Sequence, residues 1–142
     1  MSRPYIPKYL KLHEVLPKDC YKLWKNKSYA IWGLFSSDLL KAVDLLREEC
    51  GPVLCNNWST GGNLQFRGYR PMDSKVGASL STHKAFQALD LNFKESSEAV
   101  RQRIFSDPDK YKISCIEMDI SWVHIDTRNH DYQKYGILKI YP

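Results

Sequence analysis

Gln87-Ala88-Leu89-Asp90-Leu91-Asn92-Phe93 alternates with a period of two residues. Ala88, Asp90 and Asn92 share one face, and Leu89, Leu91 and Phe93 share the other, which is the pattern of a half-buried β-strand. The separation of His83 from Asp90 would also suit two turns of one helix, but the alternation argues against a continuous helix. A loop carrying His83 is therefore expected to run into a strand carrying Asp90. Further along, Trp122-Val123-His124-Ile125-Asp126-Thr127 alternates in the same way, with Trp122, His124 and Asp126 on one side and Val123, Ile125 and Thr127 on the other. If these two strands are neighbours in a sheet, His124 comes to lie beside Asp90 on a common face.

That juxtaposition has chemical content. A lone histidine is more often a surface or core residue than a ligand. An ionisable side chain in the middle of an apolar strand, however, is costly to bury unless it is paired or metal-bound. His83, Asp90 and His124 together supply two imidazoles and a carboxylate, the three protein ligands of a catalytic zinc whose fourth position is left for water. Zinc is the preferred ion for such a set, although other divalent ions bind one.

Three elements in order also carry a family resemblance. Ser81-Thr82-His83-Lys84-Ala85-Phe86-Gln87-Ala88-Leu89-Asp90 and Trp122-Val123-His124-Ile125-Asp126 resemble the Ser-x-His-x-x-Gly-x-Ala-x-Asp and Trp-x-His-x-Asp motifs of the zinc D-alanyl-D-alanine carboxypeptidases and endopeptidases. That superfamily takes in vancomycin-resistance dipeptidases, many phage endolysins and, more distantly, the hedgehog signalling domain. The matching positions are Ser81, His83, Ala88, Asp90, Trp122, His124 and Asp126. Phe66-Arg67-Gly68-Tyr69-Arg70-Pro71 is similar to the family's Ser-Gly-Tyr-Arg-Pro element, with Arg67 in place of the serine. The resemblance covers about residues 50–142 and implies a hedgehog/DD-peptidase-like fold, with zinc held by His83, Asp90 and His124. The implied activity is hydrolysis of a D-amino-acid-containing bond in the peptidoglycan stem peptide. Phe86 departs from the pattern: the family usually has glycine there, and a bulky residue is expected to require a different turn.

A zinc hydrolase also needs a proton acceptor and an oxyanion stabiliser. Glu117 is the candidate base, since a hairpin can return it to the side of His124, and the family places a glutamate upstream of its last histidine ligand. Asp119 and Asp126 compete for that role; Asp126 can instead orient an imidazole through its second nitrogen. Arg70 is the candidate oxyanion and substrate anchor, because a guanidinium grips carboxylates and carbonyls with paired hydrogen bonds. Ser81 is expected to buttress the loop beside the metal, and Trp122 to pack or to form a substrate wall. Two other readings stay open: a metal-binding, catalytically inactive peptidoglycan-binding module, and a phage structural protein on the same fold.

The 142 residues suit one domain able to bury a core. The net charge of +5 favours a polyanionic partner such as a bacterial envelope. Its basic residues are scattered, with one dense run at Lys8, Lys11, Lys18, Lys22, Lys25 and Lys27, and no specific nucleic-acid partner is expected. Aromatics at 13% suit either a core or a sugar- or peptide-contacting surface. Cys20, Cys50, Cys55 and Cys115 have neither metal-knuckle nor disulfide-framework spacing and read as buried free thiols. No signal peptide or membrane span is legible. A monomer held in the cytoplasm after synthesis is expected, with a phage-type enzyme reaching the wall by lysis or in a virion.

The expected elements are an irregular lead over 1–17, a short helix over 17–24 and a clear one over 38–50, capped by Ser36 or Ser37 and stopped by Gly51-Pro52. Strands are expected over 53–57 and 64–69, with Gly61-Gly62 a turn between them. A helix over 98–105 follows Ser96 or Ser97, then a hairpin of 112–117 with 122–126, and an edge strand over 137–141. The class is α+β: one domain, a mostly antiparallel sheet and flanking helices.

Overall fold

The computed structural model describes residues 3–142, so the first two residues of the expected irregular lead lie outside the described residues. The lead has no regular structure apart from a single helical turn at Leu12–Glu14, consistent with its prolines. Helices α1 (Lys18–Trp24), α2 (Ser28–Leu34) and α3 (Ser37–Cys50) follow. The Ser36 hydroxyl accepts the Leu39 N–H at the start of α3, and Gly51 closes it at φ 84°. Leu39, Leu40, Ala42, Val43, Leu46 and Cys50 form the buried stripe of α3. Asp44, also buried there, accepts the Tyr5 hydroxyl and the Lys8 N–H, which ties the lead across the helix. Helix α2 is not legible in the sequence: it buries only Ile31 and Trp32, leaves Tyr29 and Leu34 exposed, and so lacks a clean amphipathic period.

Strand β1 (Val53–Leu54) is shorter than expected. Residues 64–69 form no strand, and their backbone explains why. The Arg67 N–H goes to the Asn56 side chain, the Arg67 carbonyl to the Asp90 N–H, and the Tyr69 N–H to the Val15 carbonyl. These partners lie on three different segments, so no ladder can form. Strand β2 (Ala88–Phe93) is followed by α4 (Ser97–Ser106), capped by the Ser96 hydroxyl, and by α5 (Pro108–Tyr111). Strands β3 (Cys115–Glu117) and β4 (Val123–Asp126) make the expected hairpin, and α6 (Tyr132–Tyr135) leads to β5 (Leu138–Ile140).

Among the described residues these elements form one small α+β domain of six α-helices and a five-stranded sheet in the order β1-β2-β4-β3-β5. The sheet is mixed: β1-β2, β2-β4 and β4-β3 are antiparallel, but the edge strand β5 runs parallel to β3. A parallel neighbour cannot be joined by a tight hairpin, and the intervening segment carrying β4 and α6 supplies the longer return. Leu89, Leu91, Val123, Ile125 and Ile116 turn to the core with α3, Val100 and Ile104. Arg101, buried on α4, donates to the carbonyls of Ile120 and Trp122 and so fastens the β3-β4 turn. All four cysteines are free and buried, and no helix of the described residues is long and apolar enough to cross a membrane.

Candidate metal centre

The β2-β4 register pairs Asp90 directly with His124, and Ala88 with Asp126. Because side chains alternate along a strand, Asp90, His124 and Asp126 stand on the face opposite the apolar core. His83 arrives from a helical turn at Thr82–Ala85, capped by the Ser81 hydroxyl, which accepts the His83 N–H at 3.2 Å. His83, Asp90 and His124 are all buried, and one donor atom from each lies within 4.8 Å of the other two. Asp90 Oδ1 is 2.8 Å from His124 Nδ1 and 3.3 Å from His83 Nε2.

The second nitrogen of each imidazole is held. His83 Nδ1 donates to the Gly68 carbonyl at 2.8 Å, which leaves a lone pair on Nε2 in the neutral ring. His124 Nε2 lies 2.8 Å from Asp126 Oδ2, so a carboxylate backs this ring. Asp126 in turn receives Arg128 Nε at 2.8 Å and Nη2 at 2.6 Å, with the Thr82 hydroxyl at 3.3 Å. Asp90 has its own arginine: Arg70 Nη2 reaches Oδ2 at 3.2 Å, while Arg70 Nε donates to the Phe66 carbonyl at 2.7 Å.

These contacts set the charges. Burial opposes ionisation of Asp90, but hydrogen bonds from His124 and His83 outweigh it and hold the carboxyl well below its usual range. Burial likewise opposes charge on Asp126, and Arg128 with His124 overrides it, bringing the group down to about 2. For His124, burial disfavours the cation, yet the hydrogen bonds to Asp126 and Asp90 push it up to about 9. With a carboxylate against each nitrogen, the metal-free ring is an imidazolium bridging two anions. Burial lowers the Arg70 guanidinium, against the opposing pull of Asp90 and Glu117.

The site lies in an open cleft of about 410 Å³ lined by Arg70, Ser81, His83, Asp90, Glu117, Trp122, His124 and Arg128, among others. Arg70, Ser81, His83, Asp90, Glu117, Trp122 and His124, all picked out from the sequence, line this cleft, and Asp126 lies behind the His124 ring. Glu117 ends β3, one step beyond the Ile116↔Ile125 pair, on the face that carries His124 and Asp126. Asp119 does not join them: it is exposed in the β3-β4 turn with φ 58°.

Phe86 adopts a left-handed turn, φ 58° and ψ 29°, the conformation in which glycine is at ease. The ring stacks on Tyr69 at 4.1 Å and 9°, and meets Phe35 edge-on at 5.0 Å. Left-handed strain of about 1–2 kcal/mol is offset by aromatic contacts of about 0.5–1.5 kcal/mol each, beyond their burial.

Arg128, Thr82 and the Gly68 carbonyl escaped the sequence reading. For Arg128 a signal existed, since extending the Trp122, His124, Asp126 alternation by one step reaches it. For Gly68 the reason is spatial: a β-carbon there would collide with the Val15 backbone. No protein-family model matches the chain, and no curated protein or solved structure matches it either.

Proposed function

We propose that this chain is a zinc-dependent peptidase of the hedgehog/DD-peptidase kind, hydrolysing a D-amino-acid-containing bond of the peptidoglycan stem peptide. The observation that carries the reading is the convergence of His83 Nε2, Asp90 Oδ1 and His124 Nδ1 on the floor of a cleft that also holds Glu117 and Arg70. The donors suit the ion. Ligands 2.0–2.2 Å from a tetrahedral zinc stand roughly 3.3–3.6 Å apart; the 3.3 Å between His83 Nε2 and Asp90 Oδ1 falls in that range, and the hydrogen-bonded 2.8 Å between His124 Nδ1 and Asp90 Oδ1 would have to widen by about 0.5 Å.

Bound zinc would lower the pKa of a water towards about 7 and polarise a carbonyl. The chain's own residues supply the rest. Glu117, standing in the cleft beside the ligand strands, accepts the proton of the attacking water and returns it to the leaving amine. Arg70 is fixed in plane by Phe66 and Asp90 and offers its charge to the oxygen on which negative charge develops. Asp126 holds the His124 ring, Ser81 holds the backbone of His83, and Trp122 walls one side of the cleft. The reading implies a cell-wall substrate.

The test is mass analysis of purified muropeptides after incubation with zinc-loaded protein. Loss of a terminal D-alanine or scission within the stem is expected, abolished by a chelator and restored by zinc. Intact muropeptides under all of these conditions would contradict the proposal.

A further inference from the structure

Asp126 has 0% of its surface exposed, yet it is a carboxylate. Its partners are unevenly charged. Thr82 supplies a hydrogen bond but no net charge, and with a metal on Nδ1 the His124 ring would be neutral too, donating through Nε2. A buried anion held by neutral donors alone is costly, so with the metal bound the charge must come from Arg128. That side chain meets the carboxylate as a fork: Nε on Oδ1 at 2.8 Å, Nη2 on Oδ2 at 2.6 Å, with the Arg128 backbone N–H adding a third bond to Oδ1 at 3.2 Å. Two parallel bonds fix the carboxylate plane as well as its position. Fixing that plane aims Oδ2 at His124 Nε2, and so decides which ring nitrogen faces Asp90 and His83.

We propose that Arg128 is a positioning residue of the metal centre, acting through Asp126 to keep His124 Nδ1 turned towards Asp90 and His83. It is the counterpart of Arg70, which occupies Oδ2 of Asp90 and leaves Oδ1 to face both imidazoles. Asp90 and Asp126 are thus each clamped by a guanidinium of their own. The inference rests on the metal-binding part of the proposed function but not on its peptidase part.

The test reads metal affinity rather than activity. Zinc is titrated into the full chain against a chromophoric chelator at fixed pH, for wild type, Arg128→Met and Arg128→Lys. The visible spectrum of the cobalt(II)-substituted proteins reports ligand geometry. Arg103→Met is the control, since Arg103 pairs with Glu49 and Glu95 away from the cleft. Loss of an outer partner of a ligand costs about 10–100-fold in metal affinity, and that loss is expected for Arg128→Met. Arg128→Lys keeps the charge but not the fork, so it should fall between Met and wild type and alter the cobalt spectrum. The control should bind as wild type does. Should Arg128→Met fail to fold by circular dichroism, Arg128→Lys carries the comparison. Zinc affinities and cobalt spectra of the folded variants that match wild type, whatever their thermal stability, would overturn the role of Arg128 alone. A wild type that binds no zinc would contradict the metal centre itself, and this inference with it.

Discussion

One half of the candidate site is built on paired strands and the other on irregular backbone. Asp90, His124 and Asp126 stand on β2 and β4, where the ladder fixes every neighbour in turn and Asp90 faces His124 across it. His83, Arg70 and Gly68 come from segments without a ladder. Their placement depends on single bonds, such as His83 Nδ1 to the Gly68 carbonyl, Arg70 Nε to the Phe66 carbonyl and the Arg70 N–H to the His83 carbonyl. The sheet half therefore repeats its support, whereas the loop half relies on particular backbone atoms. A change in the sheet half should alter chemistry at constant fold. In the loop half, even one added methyl group should disturb the site.

The largest expected effect tests the sheet half. Glu117→Gln keeps shape and removes the basic carboxylate, so turnover on muropeptides should fall roughly 10²–10⁴-fold with zinc content unchanged. Full turnover would mean that the β3 side only shapes the cleft.

The next effect depends on pH. A metal at His124 Nδ1 must displace the proton that Asp126 and Asp90 stabilise, so zinc affinity should weaken by about tenfold for each pH unit below the raised value of about 9. In the metal-free protein the same shift is a stability statement. The contribution of His124 is complete below its ordinary value of 6.5 and vanishes as pH rises through about 9. That of Asp126 is complete above 3.8 and is lost as pH falls towards about 2. Chelator competition across pH 6–9 checks the first claim and denaturant unfolding of the metal-free protein checks the second. Zinc affinity flat with pH would show that His124 carries no proton to lose.

Gly68→Ala probes the loop half. The new methyl meets the Val15 backbone, and such overpacking typically costs about 1–3 kcal/mol. Because the Gly68 carbonyl also orients His83, zinc affinity should drop together with denaturant stability. Lost stability with unchanged affinity would separate the loop from the metal.

The smallest effect isolates strain at Phe86. Both Phe86→Ala and Phe86→Gly forfeit the stacking on Tyr69, but only glycine relieves φ 58°. The glycine variant should be the more stable of the two by about 1 kcal/mol in urea unfolding. Equal stabilities would mean the turn is unstrained.

The same contrast explains what was legible in the sequence. The sheet half follows from alternation: Leu89, Leu91, Val123 and Ile125 mark the core side, so Asp90 and His124 had to share the other. Helices α3 and α4 were equally plain from Ser36, Gly51 and Ser96. In the loop half no periodicity exists: His83 was picked out by its chemistry as a second imidazole ahead of the Asp90 strand, and Arg70 by the resemblance of Phe66–Pro71 to a known motif. An expected strand over 64–69 failed because its N–H and C=O groups are shared among Val15, Asn56 and Asp90. The parallel pairing of β5 was not legible, since nothing within residues 138–140 specifies strand direction.

The central claim is that both halves meet at one zinc ion, and its most direct test is elemental analysis of purified protein. Wild type should carry about one zinc per chain, while His83→Ala, from the loop half, and His124→Ala, from the sheet half, should each lose it and keep a folded circular dichroism spectrum. Undiminished zinc in both variants would contradict the account.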